Sequence, residues 1–448
     1  MLPEHDRVPF RALRANGDGR RGRVLRFPRA SVSPSFAGDE VLHDLFEARA
    51  DERPGAVAVE ANGEVLSYVG LDRQANRLAR HLRALGMRRG SRVAVLLGPS
   101  ADGYAALLGI LKAGAACVSL DPRDPPDRTA YVLEDSGAAL LVTTTDFERR
   151  HAGFDLPVLR LDTVRDAIAA ESPARLLRAE VRVDPNDLCH VFYKSAAAGR
   201  PTGVMIEHAN ACHLVRAAGG AFAMRPWDRV YQSSPLSWHA SVQETWLAFH
   251  AGATLVAPTP RMLNGGRRLA SHLSGARITV LPCAPSRLAM LTADVPSLRL
   301  VVLGGMCPEP LVARWSRADR RLVSTYGHAE TTVAATYADL LPGRPPTLGR
   351  PLPGYRVYVL DQERRLVRYG EVGEICIGGP GVARGYLGLP VETEVRFAQD
   401  PFAPPGTADA RIYLTGDLGR IDSTGNLEYH GAAPRPCPEA SVGEGSRW

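Results

Sequence analysis

Lys112 and Lys194 are the only lysines in a chain whose other basic side chains are all arginine. An ammonium is a compact charge on a flexible stem, and neighbours move its proton readily. Where lysine is this rare, each one is a candidate for a specific task. Lys194 opens a run of small residues, Lys194-Ser195-Ala196-Ala197-Ala198-Gly199, that follows Tyr193. The thiols suggest no chemistry of their own. Cys117, Cys189, Cys212, Cys283, Cys307, Cys376 and Cys437 lie far apart and form no Cys-x-x-Cys pair. That spacing indicates neither a zinc site nor a disulfide framework, and it fits buried, inert thiols in a reducing cytoplasm.

The net charge of +6 is concentrated at one end. Residues 1–38 hold eight arginines, from Arg7 to Arg29, against Glu4, Asp6 and Asp18. A basic arm on a near-neutral body reads as a solvated, poorly ordered extension, or as a docking arm for an acidic partner. It does not indicate nucleic acid, which calls for a basic face on the folded domain. No stretch is long and apolar enough to span a bilayer, and Met1 to Arg11 lacks the apolar run of a secretory signal, so a cytoplasmic protein is expected. At 448 residues, 45% hydrophobic and 23% charged, the chain has ample length for a large core.

The elements that must position any site follow from periodicity. Val41 to Ala50 predicts a helix, and Ala56 to Glu60 with Val65 to Tyr68 a hairpin around Asn62-Gly63. Asp72 to Leu85 and Ala101 to Ala113 predict helices. Arg92 to Leu97, Ala115 to Leu120 and Leu140 to Thr143 predict strands. A less ordered connection, about 155–184, precedes a second alternating block, about 187–340. Strands alternating with helices imply sheets covered by helices. After Pro345 short strands stand among many glycines and prolines: Tyr355 to Leu360, Gly373 to Ile377, Ile412 to Thr415 and Leu427 to Tyr429. That texture implies a small β-barrel or antiparallel sheet.

Several strings, in order, resemble the adenylation domains of nonribosomal peptide synthetases, within the adenylate-forming superfamily. Leu66-Ser67-Tyr68 with Leu71 is similar to the first signature, and Leu111-Lys112-Ala113-Gly114-Ala115-Ala116-Cys117-Val118-Ser119-Leu120-Asp121-Pro122 to the second. Gly373-Glu374-Ile375-Cys376-Ile377-Gly378 and Gly381-Val382-Ala383-Arg384-Gly385-Tyr386-Leu387 match the sixth, and Tyr413-Leu414-Thr415-Gly416-Asp417-Leu418 follows at the proper distance. Apart from Asp417, these read as packing and turn signatures. The resemblance covers about 41–431. It implies an α/β fold of two helix-covered sheet subdomains plus a small β-barrel, the large N-terminal domain of adenylate-forming enzymes. The expected subdomains are about 41–184, 185–344 and 345–431, with a frayed tail at 432–448. ATP or AMP with Mg2+ is the cofactor set implied.

The groups that meet ATP depart from the family pattern. Where the family reads Tyr-Thr-Ser-Gly-Ser-Thr-Gly-x-Pro-Lys-Gly, this chain reads Tyr193-Lys194-Ser195-Ala196-Ala197-Ala198-Gly199-Arg200-Pro201-Thr202-Gly203. Such a loop works because small hydroxyls and free backbone N–H groups converge on phosphate oxygens, with glycine allowing close approach. Ser195 and Gly199 survive, Ala197 and Ala198 offer no hydroxyl, and Thr202 replaces the loop lysine. Lys194 can supply a relocated charge. Trp238-His239-Ala240-Ser241 stands where an aspartate binds the substrate's ammonium, and a neutral imidazole is no substitute for that carboxylate. Tyr326-Gly327-His328-Ala329-Glu330 has lost the family's threonine hydroxyl but keeps Glu330, the magnesium-side carboxylate. Asp417 matches the carboxylate that grips the ribose hydroxyls, and Ala432 stands where an arginine is expected. The family continues into a mobile C-terminal lid that brings a further lysine. This sequence ends at Trp448, before that lid, which leaves it beyond a boundary of this chain, absent, or supplied in trans.

Carried over position by position, the substrate pocket is lined by His239, Ala240, Gln243, Pro282, Val302, Gly304, Thr325, Val333 and Ala334. Without an acidic anchor a typical α-amino acid is a poor fit. Three readings stand. The leading one is a degenerate adenylation domain that binds a carrier protein, a synthetase module, an MbtH-like partner or a small ligand. The second is a working adenylating enzyme for an atypical acid, with Lys194 or Arg200 serving the phosphates. The third is new chemistry in the old cleft, where His239, His328 and Glu330 bind a metal or act as acid and base.

Overall fold

The computed structural model describes residues 38–151, 153, 155–195, 200–259, 262, 268–404, 407 and 410–433. Ala196, Ala197, Ala198 and Gly199, the arm through residue 37, and residues 434–448 with Cys437 lie outside them.

The first helix, Leu42–Glu52, starts where the Asp44 carboxylate accepts the Val41 N–H at 3.0 Å, and it buries Leu42, Leu45 and Phe46. The hairpin Val57–Ala61 and Glu64–Ser67 turns on Asn62 and Gly63, both at positive φ (51° and 86°), as an Asn-Gly two-residue turn requires. Ser67 then caps the long helix Tyr68–Ala84, its Oγ accepting from Gly70 N at 3.1 Å. Leu71, Ala75, Leu78, Ala79 and Leu82 recur at helical spacing and pack against the helix Ala101–Lys112. Gly109 lets the two helices close up: a Cβ there would lie 3.1 Å from the Ala75 carbonyl oxygen.

Three sheets result. A seven-stranded sheet runs in the order 385–386, 202–207, 188–194, 116–120, 92–96, 140–143 and 158–160; the strands from 188–194 to 158–160 are parallel, and 202–207 is antiparallel to both its neighbours. A nine-stranded sheet runs 350–351, 336–339, 321–326, 300–304, 280–283, 229–231, 254–256, 57–61 and 64–67. The third unit is an antiparallel sheet of five strands, 356–360, 373–378, 411–421, 397–399 and 427–432. Sheet membership crosses the bounds drawn on the sequence. The early hairpin joins the second sheet through Val59 and Glu60 beside Leu255 and Val256, while the strands at 188–194 and 202–207 join the first.

The connection at 155–184, expected to be less ordered, holds a strand, Val158–Arg160, and two short helices, Arg165–Ala170 and Arg178–Val181. Polar straps order it. Asn76 donates to the Pro173 carbonyl at 2.9 Å, and Arg80 donates to the carbonyls of Ala174 and Arg175, both at 3.1 Å. Arg175 in turn binds Asp72 at 3.0 Å and Asp51 at 2.9 Å. Beneath them Lys112, 4% exposed, pairs with Glu47 and, at 2.7 Å, with Asp72. One of the two lysines is therefore a structural counter-ion. The six described cysteines are buried and none is in a disulfide. Among the described residues no helix is long and apolar enough to cross a membrane.

Histidines are buried in numbers. His208 Nδ1 accepts from Leu42 N at 3.0 Å, while its Nε2 and both nitrogens of His190 have no hydrogen-bond partner among the described residues. Burial pulls His190 and His208 down to about 3, and His213 and His250 to about 4. In the unfolded chain these rings titrate near 6.5, so from there down to pH 4 the unfolded state takes up protons that the folded state refuses. Glu244 acts the other way. Burial raises it to about 7 against four hydrogen bonds from Ser233 and Ser234, so the folded state holds one extra proton between pH 4.5 and 7. The histidines outnumber it. Stability should fall as pH drops below 6.5, by roughly 4 kcal/mol per pH unit at full slope, and the fold should be lost before pH 4. Urea midpoints between pH 7.5 and 4.5 check this; a flat profile would show that the rings titrate freely in the folded chain.

Candidate functional site

The carboxyl ends of parallel strands converge on one side of the nine-stranded sheet, the usual place for a ligand crevice in such sheets. Pro282 pairs with Val302, and Gly304 with Thr325, so four predicted pocket residues are neighbours across three strands. Val302, Thr325, Gln243 and Ala334 are buried and Gly304 is exposed. His239 and Ala240 begin the helix Ala240–Ala251, with Gln243 in its first turn.

After the strand Arg321–Tyr326 the chain doubles back through a tight turn. Gly327 has no room for a side chain, because a Cβ would lie 2.6 Å from the Val333 carbonyl oxygen and 2.9 Å from Ala334 Cα. Thr332 and Val333 both have positive φ, 52° and 74°. For β-branched residues that conformation costs about 1–3 kcal/mol each and persists only where the surroundings enforce it. Here Thr332 Oγ1 donates to the Gly381 carbonyl at 2.7 Å and Val333 N to the His328 carbonyl at 3.1 Å.

This turn carries His328 and Glu330 into contact with the other two sheets. Glu330 is buried, and its Oε1 accepts from Lys194 Nζ and, at 2.7 Å, from the Tyr386 hydroxyl. Lys194 ends a strand of the seven-stranded sheet, and its ammonium also lies 5.3 Å from the Tyr386 ring centre. On the five-stranded sheet, Asp417 Oδ2 faces His328 Nε2 at 3.1 Å and accepts from the Tyr326 hydroxyl at 2.7 Å. His328 Nδ1 lies 3.4 Å from the Tyr413 hydroxyl.

The electrostatics follow from these bonds. Burial pushes the Glu330 carboxyl up, but the charge and hydrogen bond of Lys194, with the Tyr386 hydroxyl, outweigh it and hold the group below the usual carboxylate range. Burial also opposes ionisation of Asp417, and its bonds to His328 and Tyr326 likewise win. Burial pushes His239 down to about 4, with Glu330 acting against that shift and His328 and Lys194 adding to it. His239 is therefore neutral at pH 7 and within electrostatic reach of all three groups.

The residues expected to do chemistry are thus near one another, yet bonded differently from a metal or acid–base triad. His328 serves Asp417, Glu330 serves Lys194, and the His239 ring lies tilted against Trp238 with ring centres 4.9 Å apart. Among the described residues no group of three or more His, Cys, Asp or Glu is disposed to hold a metal. Magnesium at Glu330 fits this arrangement poorly, because Oε1 already carries a phenol and an ammonium, and the metal would adjoin that ammonium as a like charge. A ribose at Asp417 fits better: both donors fall on Oδ2, on a half-buried carboxylate facing the cleft. Ser195 is exposed and accepts from Arg128 at 3.3 Å. Arg200 lies over the Tyr131 ring at 5.5 Å, away from Glu330. Ala432 pairs with Asp417 across the sheet, so the position lacking an arginine borders that carboxylate. Tyr386 was not foreseen. It lies in a string that reads as packing, and its hydroxyl is what anchors Glu330.

The sequence pattern of the family described as "AMP-binding enzyme" matches residues 46–387. Delta-poly-L-ornithine synthetase of Acinetobacter baumannii is 35% identical over 406 residues, which is 90% of this chain and 30% of that protein. Phosphinothricin tripeptide synthetase PhsC of Streptomyces viridochromogenes is 39% identical over 412 residues, 91% of this chain and 37% of that one. The chain thus spans about a third of the length of these relatives. Among solved structures, the AMPPNP-bound form of the nonribosomal peptide synthetase FmoA3 superposes with a TM-score of 0.80 at 32% identity, over 90% of this chain and 43% of that one.

The Tyr386 hydroxyl can be tested alone. Tyr386→Phe keeps the ring and removes one bond to a buried carboxylate, so it should cost about 1–2 kcal/mol in urea unfolding. An unchanged midpoint would show that Glu330 does not depend on that bond.

Proposed function

The chain belongs to the AMP-binding enzyme family, with synthetase proteins among its relatives, and from that premise we propose that it binds an adenine nucleotide without forming acyl-adenylates. One observation carries this reading. Glu330, the carboxylate the family pattern assigns to the magnesium side, is taken by Lys194 and Tyr386. The loop sequence supports it: Ala197, Ala198 and Thr202 offer neither the hydroxyls nor the lysine that meet phosphate in the family pattern. A hydrogen bond to a charged group contributes about 1.5–3 kcal/mol, so losing two or three weakens phosphate handling by roughly 10³-fold or more. Asp417 remains as a ribose contact. His239, neutral at pH 7, offers no counter-charge to an α-ammonium, which disfavours ordinary amino acids as substrates.

The function then lies in association. A carrier protein or synthetase module is the partner class suited to such a domain, with a small MbtH-like protein as the narrower possibility. The fold-bearing strings keep their form while the phosphate-bearing ones have lost theirs, which favours a retained surface. A domain of this size has ample area for a standard interface.

Pyrophosphate exchange with a panel of amino and aryl acids should give no turnover, and by calorimetry AMP should bind nearly as well as ATP. Exchange at ordinary adenylation rates with any acid would establish the active-enzyme reading instead. Co-purification with proteins encoded beside this one should capture a carrier or synthetase module, more weakly as salt is raised, since exposed charge attraction is screened. A chain that stays alone with every such neighbour would sink the association reading.

A further inference from the structure

The Lys194–Glu330 pair has a second property: only one of its members is hidden. The Glu330 side chain is 1% exposed, while that of Lys194 is 38% exposed. An ammonium has three donors and no acceptor. One donor goes to Glu330 Oε1, and the Tyr386 ring lies 5.3 Å from Nζ. Among the described residues the head group is therefore held by an anion and by an aromatic face, with part of it open to solvent. Asp417 is joined through His328 to the turn that also bears Glu330.

We infer that Lys194 is a built-in cation, fixed by Glu330 and Tyr386, that takes the phosphate group of a bound nucleotide in place of a divalent metal. The inference rests on the nucleotide reading above and names how its anionic part is held. Magnesium is a hard cation that binds through one or two carboxylates together with substrate phosphates, and keeps several waters. To bind Glu330 here it must sit beside that ammonium as a like charge, on a carboxylate whose Oε1 is already taken. A fixed ammonium meets a phosphate oxygen without that repulsion, so nucleotide binding proceeds with no divalent ion.

The scarcity of lysine makes this directly measurable. With lysine labelled in 13C and 15N, the side-chain spectrum of the full chain holds two sets of signals, Lys112 and Lys194, assigned with Lys194→Met. Lys112, enclosed by Glu47 and Asp72, is the internal control. Inorganic pyrophosphate added in EDTA should shift the Lys194 signal saturably and leave Lys112 in place, and Mn2+ alone should not broaden Lys194. AMP affinity should agree within about twofold between EDTA and excess Mg2+, while Lys194→Met should lower it about tenfold or more and Lys194→Arg should keep most of it. A Lys194 signal that ignores pyrophosphate, or that Mn2+ alone broadens, overturns the inference without any variant. AMP binding that collapses about tenfold or more in EDTA overturns it while leaving the nucleotide reading intact. If pyrophosphate moves Lys194 but neither AMP nor adenosine binds, the anion site stands and the nucleotide reading falls.

Discussion

A carboxylate buried where three sheets meet must have a counter-charge, and the arrangement of the cleft follows from how Glu330 obtains one. Ionised carboxylates taken out of water lose several kcal/mol of hydration unless paired and hydrogen-bonded. Glu330 draws an ammonium from the end of one strand of the seven-stranded sheet and a phenol from another strand at the edge of that sheet. Its own backbone carbonyl accepts from Ala383, and the neighbouring Thr331 carbonyl accepts the Tyr355 hydroxyl at 3.1 Å. The turn is thus fixed from several directions at once. That enforcement is what allows Thr332 and Val333 to remain at positive φ. The same fixed turn brings His328 to Asp417, and with it the five-stranded sheet.

The two lysines solve one electrostatic problem in two ways. Lys112 is enclosed, and its carboxylates Glu47 and Asp72 are shared with Arg175, so its charge is spent within the protein. Through those shared carboxylates it couples the helix Ala101–Lys112 to the strap at 155–184, which also buries Leu159, Leu161, Val181 and Val183. Lys194 is enclosed on one side only. Its partner is hidden but its head group is not, which leaves part of its field in the cleft.

Much of the fold was legible because its signals are local. Asn62-Gly63 specifies its turn by φ alone, Ser67 caps its helix through its own hydroxyl, and the apolar spacing from Leu71 to Leu82 marks the buried face. What escaped depends on distant partners. The order at 155–184 comes from Arg80, Asn76 and Asp72, whose side chains reach across more than ninety positions of chain. The hairpin's place at the far edge of the nine-stranded sheet is likewise a long-range pairing, with Leu255 and Val256. In the cleft, Lys194 and Glu330 each drew attention by type, yet nothing in either neighbourhood joins them across 136 positions. Tyr386 was hidden for another reason: in Gly385-Tyr386-Leu387 the aromatic ring explains itself as packing, and only geometry reveals the use of its hydroxyl.

A charge supplied by the chain differs in kind from one that arrives with a ligand. A metal ion bound through substrate phosphates enters and leaves with the nucleotide, so the charge of the cleft alternates through a catalytic cycle. An ammonium anchored by Glu330 belongs to the chain itself and does not arrive or leave with a ligand. Catalysis requires interactions that strengthen in the transition state relative to the ground state, and a fixed point charge already satisfied by a carboxylate offers little of that difference. Binding has no such requirement. A pre-placed cation lowers the reorganisation needed to accept an anion and holds it equally well at rest. On the binding reading proposed above, Lys194 therefore suits the site to retaining a ligand rather than to turning substrate over, while the sheets around it keep the form of the family.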